Sequence, residues 1–383
     1  LYAGTETKVY FSLDDGEHWQ PLKTNMPAAP VYSLTVQPEF NDLVAGTYGR
    51  GIWILDDITP IRNLESGVLE SGLHLFEPTD TYRFQPVTGK GSPTEYELDG
   101  RNAPAGTPIS YYLDEAHEED VTIAVSNAEG DTVRTLTGPA NAGINRVWWD
   151  LRHESFEHPQ LRTDPPGRDW VAVPDTGREP VTWGTGYDDG PEVVPGTYTA
   201  TIRAGGESQS RSFEVIKDPH STGTVQDIEE QVALSLALRE EYDRVRETVN
   251  RLEWIRAQLA DLRGSLEEAE ASGDVLRTLE SARERAVEVE HMLIDTNLTG
   301  AIEDSFRNPM KLHGRYLELM QDVSGSSDHP PTEAQEAVHQ ELRTQLEEAE
   351  AAFQSYLSED LADLNETLRT QGLPTVASSP PGS

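Results

Sequence analysis

The sequence predicts a multidomain chain with two successive β-rich parts followed by a helical part. Three observations support this fold class. A unit of short strands that starts at Leu1 recurs at Leu43. Apolar and polar residues alternate over much of 96–218, as in half-buried strands, and from residue 219 apolar residues recur every three or four positions, as on one face of a helix. The length of 383 residues allows two or three domains.

Residues 1–60 contain the repeated unit. It reads L-Y-A-G-T-E-T-K-V-Y-F-S-L-D-D from Leu1 and L-V-A-G-T-Y-G-R-G-I-W-I-L-D-D from Leu43. Each copy is a strand, a Gly-Thr turn, a second strand and an Asp-Asp pair. A period of about 42 residues is the size of a propeller blade, so this part predicts the end of a β-propeller. The set of blades is incomplete, because propeller blades bury their faces by closing a ring.

The octapeptide S-L-D-D-G-E-H-W at 12–19 fits the Asp-box pattern S-x-D-x-G-x-[TS]-W at every position but one, where His18 replaces Thr or Ser. Asp14 is predicted to accept backbone N–H groups in a tight turn. Gly16 supplies the positive φ that the turn needs. Ser12, Asp14, Gly16 and Trp19 are therefore predicted to form one structural Asp box at a β-hairpin tip.

The Asp box and the repeat resemble those of BNR-repeat β-propellers, which include sialidases, sortilin-type proteins and xyloglucan-cleaving enzymes. The resemblance implies the C-terminal part of a large, sortilin-like bacterial protein of the class often labelled glycosyl hydrolase. It also implies an extracytoplasmic location, secreted or periplasmic, and an Asp box that folds the chain without performing catalysis. Because the chain starts at Leu1 rather than Met, we expect it to be a fragment of a longer protein.

Residues 61–95 are predicted to be a connector, and residues 96–218 a β-sandwich. Its motifs are V-x-I-x-V-x-x-x-x-G-x-x-V-R-T-L from Val121, N-R-V-W-W-D from Asn145 and P-G-T-Y-T from Pro195. They resemble the Ig-like domain of the flagellar hook-capping type, which implies a non-catalytic module. The adjacent tryptophans of N-R-V-W-W-D point to opposite faces of a strand, so one is expected in the core.

A long insertion, 152–192, interrupts the predicted sandwich and is rich in Pro, Gly, Asp and Trp. Loops of this length in compact domains are functional or disordered. The aromatic residues Trp170, Trp183 and Tyr187 favour docking on the propeller or the helical part. The alternative is a loop that contacts a ligand.

Residues 219–372 predict an antiparallel α-helical bundle of three or four helices. Thr224 with Asp227 forms an N-terminal cap, and Thr332 with Gln335 forms a capping box at the start of the last helix. The apolar stripes also allow an intermolecular coiled coil, so self-association through the helices stays open. Residues 373–383 are predicted to be a disordered tail.

The segment Y-G-R-G-I-W holds the candidate ligand contacts Tyr48, Arg50 and Trp53. They follow a strand of the last blade, in a loop flanked by glycines that would face the mouth of a propeller. An ordinary turn between strands is the alternative interpretation.

Two carboxylate pairs, Asp14-Asp15 and Asp56-Asp57, invite comparison with glycosidase acids. Both pairs are consecutive residues at hairpin ends, so their side chains diverge and the pattern favours turn stabilisation. No catalytic residue is predicted in this chain.

No metal site or cofactor is predicted either. His153 and His158 are five residues apart, whereas the zinc-protease signature needs a spacing of four on a helix, so two surface histidines are expected. The D-D-G from Asp188 is too short for a calcium loop, whose ligands alternate over about twelve residues.

The net charge of −38 disfavours nucleic acids and anionic membrane surfaces as partners. The absence of cysteine excludes disulfides and thiolate chemistry, and no apolar run is long enough to span a bilayer. The sequence thus predicts a non-catalytic region of a propeller protein that binds a peptide, protein or glycan. The alternative is an accessory region of a glycoside hydrolase whose acids lie upstream, which leaves open whether the whole protein is an enzyme.

Overall fold

The computed structural model describes residues 1–22, 25–84, 103–181, 189–268, 272–325 and 327–380. The chain divides into two compact units. The first comprises Leu1–Glu154 and Glu192–Thr222, and the second comprises Ser155–Pro191 and Gly223–Ser383. The chain therefore passes between the units three times. The predicted combination of β-strands with a C-terminal helical region is confirmed at this level.

Where the structure describes it, the first unit contains all the named strands and two one-turn helices. The strands are β1 Tyr2–Gly4, β2 Val9–Phe11, β3 Gln20–Pro21, β4 Val31–Gln37, β5 Asp42–Thr47, β6 Ile52–Leu55, β7 Leu73–Leu75, β8 Thr81–Arg83, β9 Thr107–Leu113, β10 Val121–Ser126, β11 Thr132–Gly138, β12 Gly143–Trp149, β13 Gly196–Ala204 and β14 Glu207–Lys217. The short helices are α1 Thr59–Arg62 and α2 Ser66–Leu69.

The first six strands form two antiparallel three-stranded sheets, β1-β2-β3 and β4-β5-β6. They share a small core that includes Val9, Val31 and Leu43. Side chains alternate between the two faces of a strand, so Leu43 and Ala45 of β5 are both buried in that core.

The remaining strands form a five-stranded sheet, β11-β10-β13-β14-β8, and a three-stranded sheet, β12-β9-β7. Residues of both sheets share one hydrophobic core, in which Trp149 packs against Tyr198 and Phe213. Trp149 is therefore the core member of the Trp pair, while Trp148 stays partly exposed.

The segment predicted to be a connector contributes two strands to these sheets. β7 pairs with β9, and β8 pairs with β14 in parallel. The short alternating sequences L-H-L and T-Y-R account for both additions, since three residues suffice to extend an existing sheet edge. The predicted start of the sandwich at residue 96 lies outside the described residues.

Among its described residues, the second unit contains five longer helices: α3 Val225–Glu268, α4 Gly273–Leu293, α5 Leu312–Ser324, α6 Glu333–Ser358 and α7 Asp360–Thr370. A 3₁₀ helix spans Ile302–Phe306. The helices share one hydrophobic core. The last predicted helix is divided in two at Glu359, whose φ of −112° and ψ of −74° depart from those of a regular helix.

Both predicted helix starts have the expected hydrogen bonds. The Thr224 N–H donates to the Asp227 carboxylate at 2.7 Å, and the Asp227 N–H donates to the Thr224 hydroxyl at 3.1 Å. Thr332 and Gln335 form the reciprocal capping box. These two predictions are confirmed, because the side chains satisfy N–H groups that have no partner within the helix.

Residues 373–380, where disorder was expected, instead pack on the helices. Val376 is buried in the helical core, and its N–H and C=O both bond the Asn365 side-chain amide. The Ala377 N–H donates to Gln258 at 2.9 Å. Amide side chains thus satisfy the backbone of a segment that has no regular secondary structure.

Among the described helices, none combines the length and the apolar composition that crossing a bilayer requires. The longest, α3, carries charged residues along its whole length.

Candidate ligand-contact surface

The loop that connects β5 to β6 holds the residues singled out from the sequence. Gly49 and Gly51 have φ values of +77° and +74°, a region that glycine occupies without strain. The Thr47 N–H and hydroxyl both donate to the Gly51 carbonyl, at 3.1 and 2.6 Å. The loop is therefore a short hydrogen-bonded turn, and Tyr48 projects from it with 69% of its surface exposed.

Tyr32 lies beside Tyr48, and sequence reasoning did not identify it. The two rings have centroids 5.7 Å apart and planes inclined at 45°. Tyr32 lies at a β-bulge, where the register passes from Val31 opposite Thr47 to Ser33 opposite Gly46. Bulges redirect side chains, and Tyr32 is 71% exposed. The available signal was an aromatic residue on the polar side of an alternating strand.

Trp53 fixes this loop to the core of the first sheets. Its indole Nε1–H donates to the Arg50 carbonyl at 2.8 Å, and its ring packs against the small core of the first sheets. Of the three predicted contacts, Trp53 therefore positions the turn, whereas Tyr48 and Arg50 are exposed on it.

Tyr32, Tyr48 and Arg50 together are called the tyrosine-pair surface below. The Arg50 guanidinium makes no hydrogen bond or ion pair with any residue that the structure describes. A tyrosine ring offers an apolar face with a polar hydroxyl, and arginine offers several donors in a planar fork. This chemistry suits a ligand with flat apolar faces and hydrogen-bonding groups at its edges.

The Asp box forms a tight turn. The His18 N–H donates to Asp14 Oδ1 at 2.9 Å, and the Ser12 hydroxyl donates to the same oxygen at 2.8 Å. The Gly16 N–H donates to Ser12 Oγ at 2.8 Å, with Gly16 at φ +97°. The bond from the His18 N–H is the first cause that holds the pKa of Asp14 below its usual range, and the bonds from the His18 and Ser12 side chains add to it. Trp19 lies over Gly16, since a Cβ built there would be 3.6 Å from the indole ring.

His18 replaces the usual Thr or Ser and adds a contact of its own, with Nδ1 at 2.6 Å from Asp14 Oδ2. Asp14, Glu17 and His18 have ligand atoms within 4.8 Å of one another, the only such group of three within the described residues. All three are exposed, and the hydrogen bonds of the turn already account for their proximity.

The second carboxylate pair differs in environment from the first. Asp57 is buried and accepts the Thr59 N–H at 3.1 Å, while its own N–H donates to Asp42 at 2.9 Å. Burial, aided by the nearby Asp42 carboxylate, raises the pKa of Asp56. The Asp56 and Asp57 carbonyl groups also accept hydrogen bonds from Arg146 of β12. The pair therefore organises a junction within the first unit.

The two histidines of H-E-S-F-E-H lie in different units, His153 in the first and His158 in the second. The expectation of two surface histidines is wrong for His158. Its Nδ1 lies 2.8 Å from the Tyr242 hydroxyl, and Phe156 beside it is buried in the helical core. The apolar Phe156 accounts for this, because its burial carries the neighbouring residues with it.

Within the insertion, residues 155–191 belong to the second unit. Phe156 and Leu161 join the helical core, which agrees with docking on the helices. Trp170 is 72% exposed, so it does not anchor this docking. Trp183, Tyr187 and Asp188 lie outside the described residues.

No family model matches this sequence, and no curated protein matches it.

Proposed function

We propose that this chain is a non-catalytic region of an extracytoplasmic Asp-box propeller protein, and that the tyrosine-pair surface contacts a peptide, protein or glycan ligand. In this proposal β1–β6 form the end of the propeller. The two larger sheets form an Ig-like sandwich, and α3–α7 form an antiparallel bundle. The sandwich and the bundle are accessory parts.

The observation that carries the proposal is the exposed pair Tyr32 and Tyr48. Large aromatic side chains contribute most to binding free energy when a partner covers them, so two that lie together in solvent mark a contact surface. The turn holds Tyr48 through its own hydrogen bonds and through Trp53. A ligand would therefore bind without first ordering the loop, which reduces the entropic cost of binding.

The Asp-box turn supports the propeller assignment. Its Asp accepts a backbone N–H, its Gly has a positive φ, and its Trp covers the Gly. The strand pair β1-β2 recurs as β5-β6 at the spacing of the sequence unit, and the two three-stranded sheets share one small core.

The test is a binding titration of the whole chain by calorimetry, against xyloglucan and β-glucan oligosaccharides, sialosides and unstructured peptides. We expect at least one class to bind, and Tyr48→Ala or Tyr32→Ala to weaken that binding at least about tenfold, as for a stacked aromatic contact. The matched control is Trp170→Ala, which removes an equally exposed aromatic side chain elsewhere. Unchanged binding in both tyrosine variants, or no binding across the panel, would refute the proposal.

A further inference from the structure

The insertion forms part of the second unit although it begins and ends in the first. The chain leaves the first unit after Glu154 and returns at Glu192, and residues 155–191 belong with the helices in between. Residues 155–160 have no regular secondary structure. The segment is therefore held on the helices by individual contacts, which include the Gln160 N–H on Asn250 at 2.8 Å and the ion pair of Glu157 with Arg246 at 2.9 Å. Others are contacts between side-chain rings.

These contacts centre on a cluster of aromatic and imidazole rings that we call the histidine cluster: Phe156 and His158 of the insertion, Tyr242 of α3 and His313 of α5. The Phe156 and Tyr242 ring centroids are 5.1 Å apart, and those of Tyr242 and His313 are 5.5 Å apart. His158 lies 6.1 Å from His313, with its Nδ1 on the Tyr242 hydroxyl at 2.8 Å.

His313 is the unusual member of the cluster. Only 1% of its surface is exposed, and neither ring nitrogen has a hydrogen-bond partner within the part of the chain that the structure describes. It lines a cavity of about 10 Å³ together with Asp295, whose Oδ2 is also buried and unpartnered. Buried polar atoms without partners are costly, so their occurrence in one small space is a feature that requires an explanation.

The groups around His313 determine how readily its imidazole is protonated. His158 faces it from the insertion and Tyr242 from α3, while Asp295 and Lys311 line the cavity from the segment between α4 and α5. On α5 itself, the Tyr316 hydroxyl is directed to Glu241 of α3. Burial, aided by His158, lowers the pKa of His313 to about 3. The closed cluster therefore holds this imidazole in its neutral form.

We propose that the histidine cluster is an acid-sensitive latch, which releases residues 155–160 from the helices when His313 gains a proton. An imidazolium at His313 would be buried, with no described hydrogen-bond acceptor at either ring nitrogen, and would face His158 at 6.1 Å between ring centroids. Burial of an uncompensated charge is unfavourable, and a second charge on His158 would repel it. Opening the cluster hydrates both rings.

We expect residues 155–160 to move rather than α5, because α5 makes further contacts with the helical core. The Tyr316 hydroxyl donates to Glu241 at 3.0 Å, and Leu312, Leu317 and Met320 are buried in the helical core. The following part of the insertion is also retained, because the Thr163 N–H and hydroxyl donate to Glu253 at 2.7 and 2.9 Å. Release is thus confined to the segment that directly follows the passage from the first unit.

The absence of cysteine permits a direct test in the full chain. Ser155→Cys and Glu240→Cys, both at exposed positions, place one spin label on the segment and one on α3. Pulsed electron–electron double resonance then measures the distance between the labels from pH 7.5 to pH 4, while circular dichroism measures the helical content. We expect the distance to lengthen between these pH values while the helical signal is retained. An unchanged distance, or a loss of helix at the same pH, would overturn the latch.

His313→Leu removes the titrating ring, and we expect it to lower the midpoint of opening by at least one pH unit. His329→Leu is the control, since that histidine is exposed in the same unit. If the His313 variant does not fold, His158→Phe removes the facing ring and is expected to lower the midpoint as well. A midpoint that equals that of the wild type in the folded variant overturns the assignment to this cluster.

Discussion

Arg146 of β12 donates a hydrogen bond from Nη2 to the Asp57 carbonyl oxygen at 2.6 Å, with the Asp57 carboxylate 3.6 Å away. Its Nη1 donates to the Asp56 carbonyl at 2.8 Å, and its Nε donates to Ser110 Oγ at 2.9 Å. One guanidinium therefore joins the turn that follows β6 to the sheet that contains β12. The planar fork of arginine makes this possible, and a lysine would reach only one of these acceptors well.

Arg146→Met is expected to destabilise the first unit by about 2 kcal/mol, because it removes hydrogen bonds from a charged group to partly buried acceptors. Urea-dependent hydrogen exchange of peptides from β9 and β12 in the full chain would measure this. Arg203→Met is the control, since Arg203 is exposed on β13. Equal losses of stability in the two variants would show that the hydrogen bonds of Arg146 stabilise the unit no more than an exposed surface arginine does.

Gly51→Ala is expected to destabilise the turn that presents Tyr48. Gly51 has φ +74°, and an L-residue in this region costs about 1–2 kcal/mol. Gly67→Ala is the matched control, since Gly67 lies in α2 without a positive φ and with open space around its Cα. Thermal unfolding should show a lower midpoint for the first variant only. A midpoint that is unchanged in Gly51→Ala would mean that this turn does not need glycine.

The sequence predicted the local features that single residue types impose. The Asp-box turn, the two helix caps and the alternating strands all follow from side-chain chemistry within a few residues. Of the tyrosine pair, the sequence predicts Tyr48, which lies in a Gly-flanked motif. It does not predict Tyr32, which precedes Tyr48 by sixteen positions and whose exposure depends on a β-bulge. Long-range pairing of this kind leaves no local trace in a sequence.

The histidine cluster illustrates the same limit. His158, Tyr242 and His313 come from three distant segments, and each alone looks like an ordinary polar residue. The spacing between His153 and His158 says little about His158, because His153 lies in the other unit. Phe156 determines the environment of His158, because Phe156 is buried in the helical core. Similarly, Val376 and Leu373 are isolated apolar residues in a short terminal segment, yet both pack against the helical core.

Below pH 6.5 the second unit should lose stability as the pH falls, and His313 contributes to the slope. The pKa of His313 is about 3 in the folded chain, against 6.5 for an unperturbed imidazole. The unfolded chain therefore binds a proton that the closed histidine cluster excludes. The stability contribution of the neutral ring is complete above pH 6.5 and declines by about 1.4 kcal/mol per pH unit until the pH at which the cluster opens and the folded chain also binds this proton.

Urea unfolding monitored by far-ultraviolet circular dichroism at pH 7.5, 6 and 5 tests this dependence. Other carboxylates and histidines titrate in the same range, so the informative quantity is the difference between the wild type and His313→Leu. We expect the variant to show a shallower decline of stability between pH 6 and 5. Parallel pH profiles for the two proteins would exclude a contribution from His313.

Glu253 and Glu290 are two buried glutamates that share one arginine, and we expect their substitution to have different effects on stability. Both are about 1% exposed, and Arg256 Nη1 bonds both, at 2.6 Å to Glu253 and 2.5 Å to Glu290. Burial raises the pKa of Glu290 well above its usual range, in spite of Arg256. Burial therefore favours the neutral acid form of Glu290, which hydrogen-bonds Glu253. Glu253 also accepts the N–H groups of Arg162 and Thr163 of the insertion.

Glu290→Gln should accordingly change the free energy of unfolding by less than about 1 kcal/mol, because an amide reproduces the shape and the donor of a neutral acid. Glu253→Gln should cost about 3 kcal/mol, since it leaves Arg256 in a buried position without its carboxylate. Urea unfolding of the second unit, read from the helical signal at pH 7, compares the two variants in one assay. If the protons are distributed the other way, the order of the two losses reverses, and Glu290 rather than Glu253 is the charged partner of Arg256.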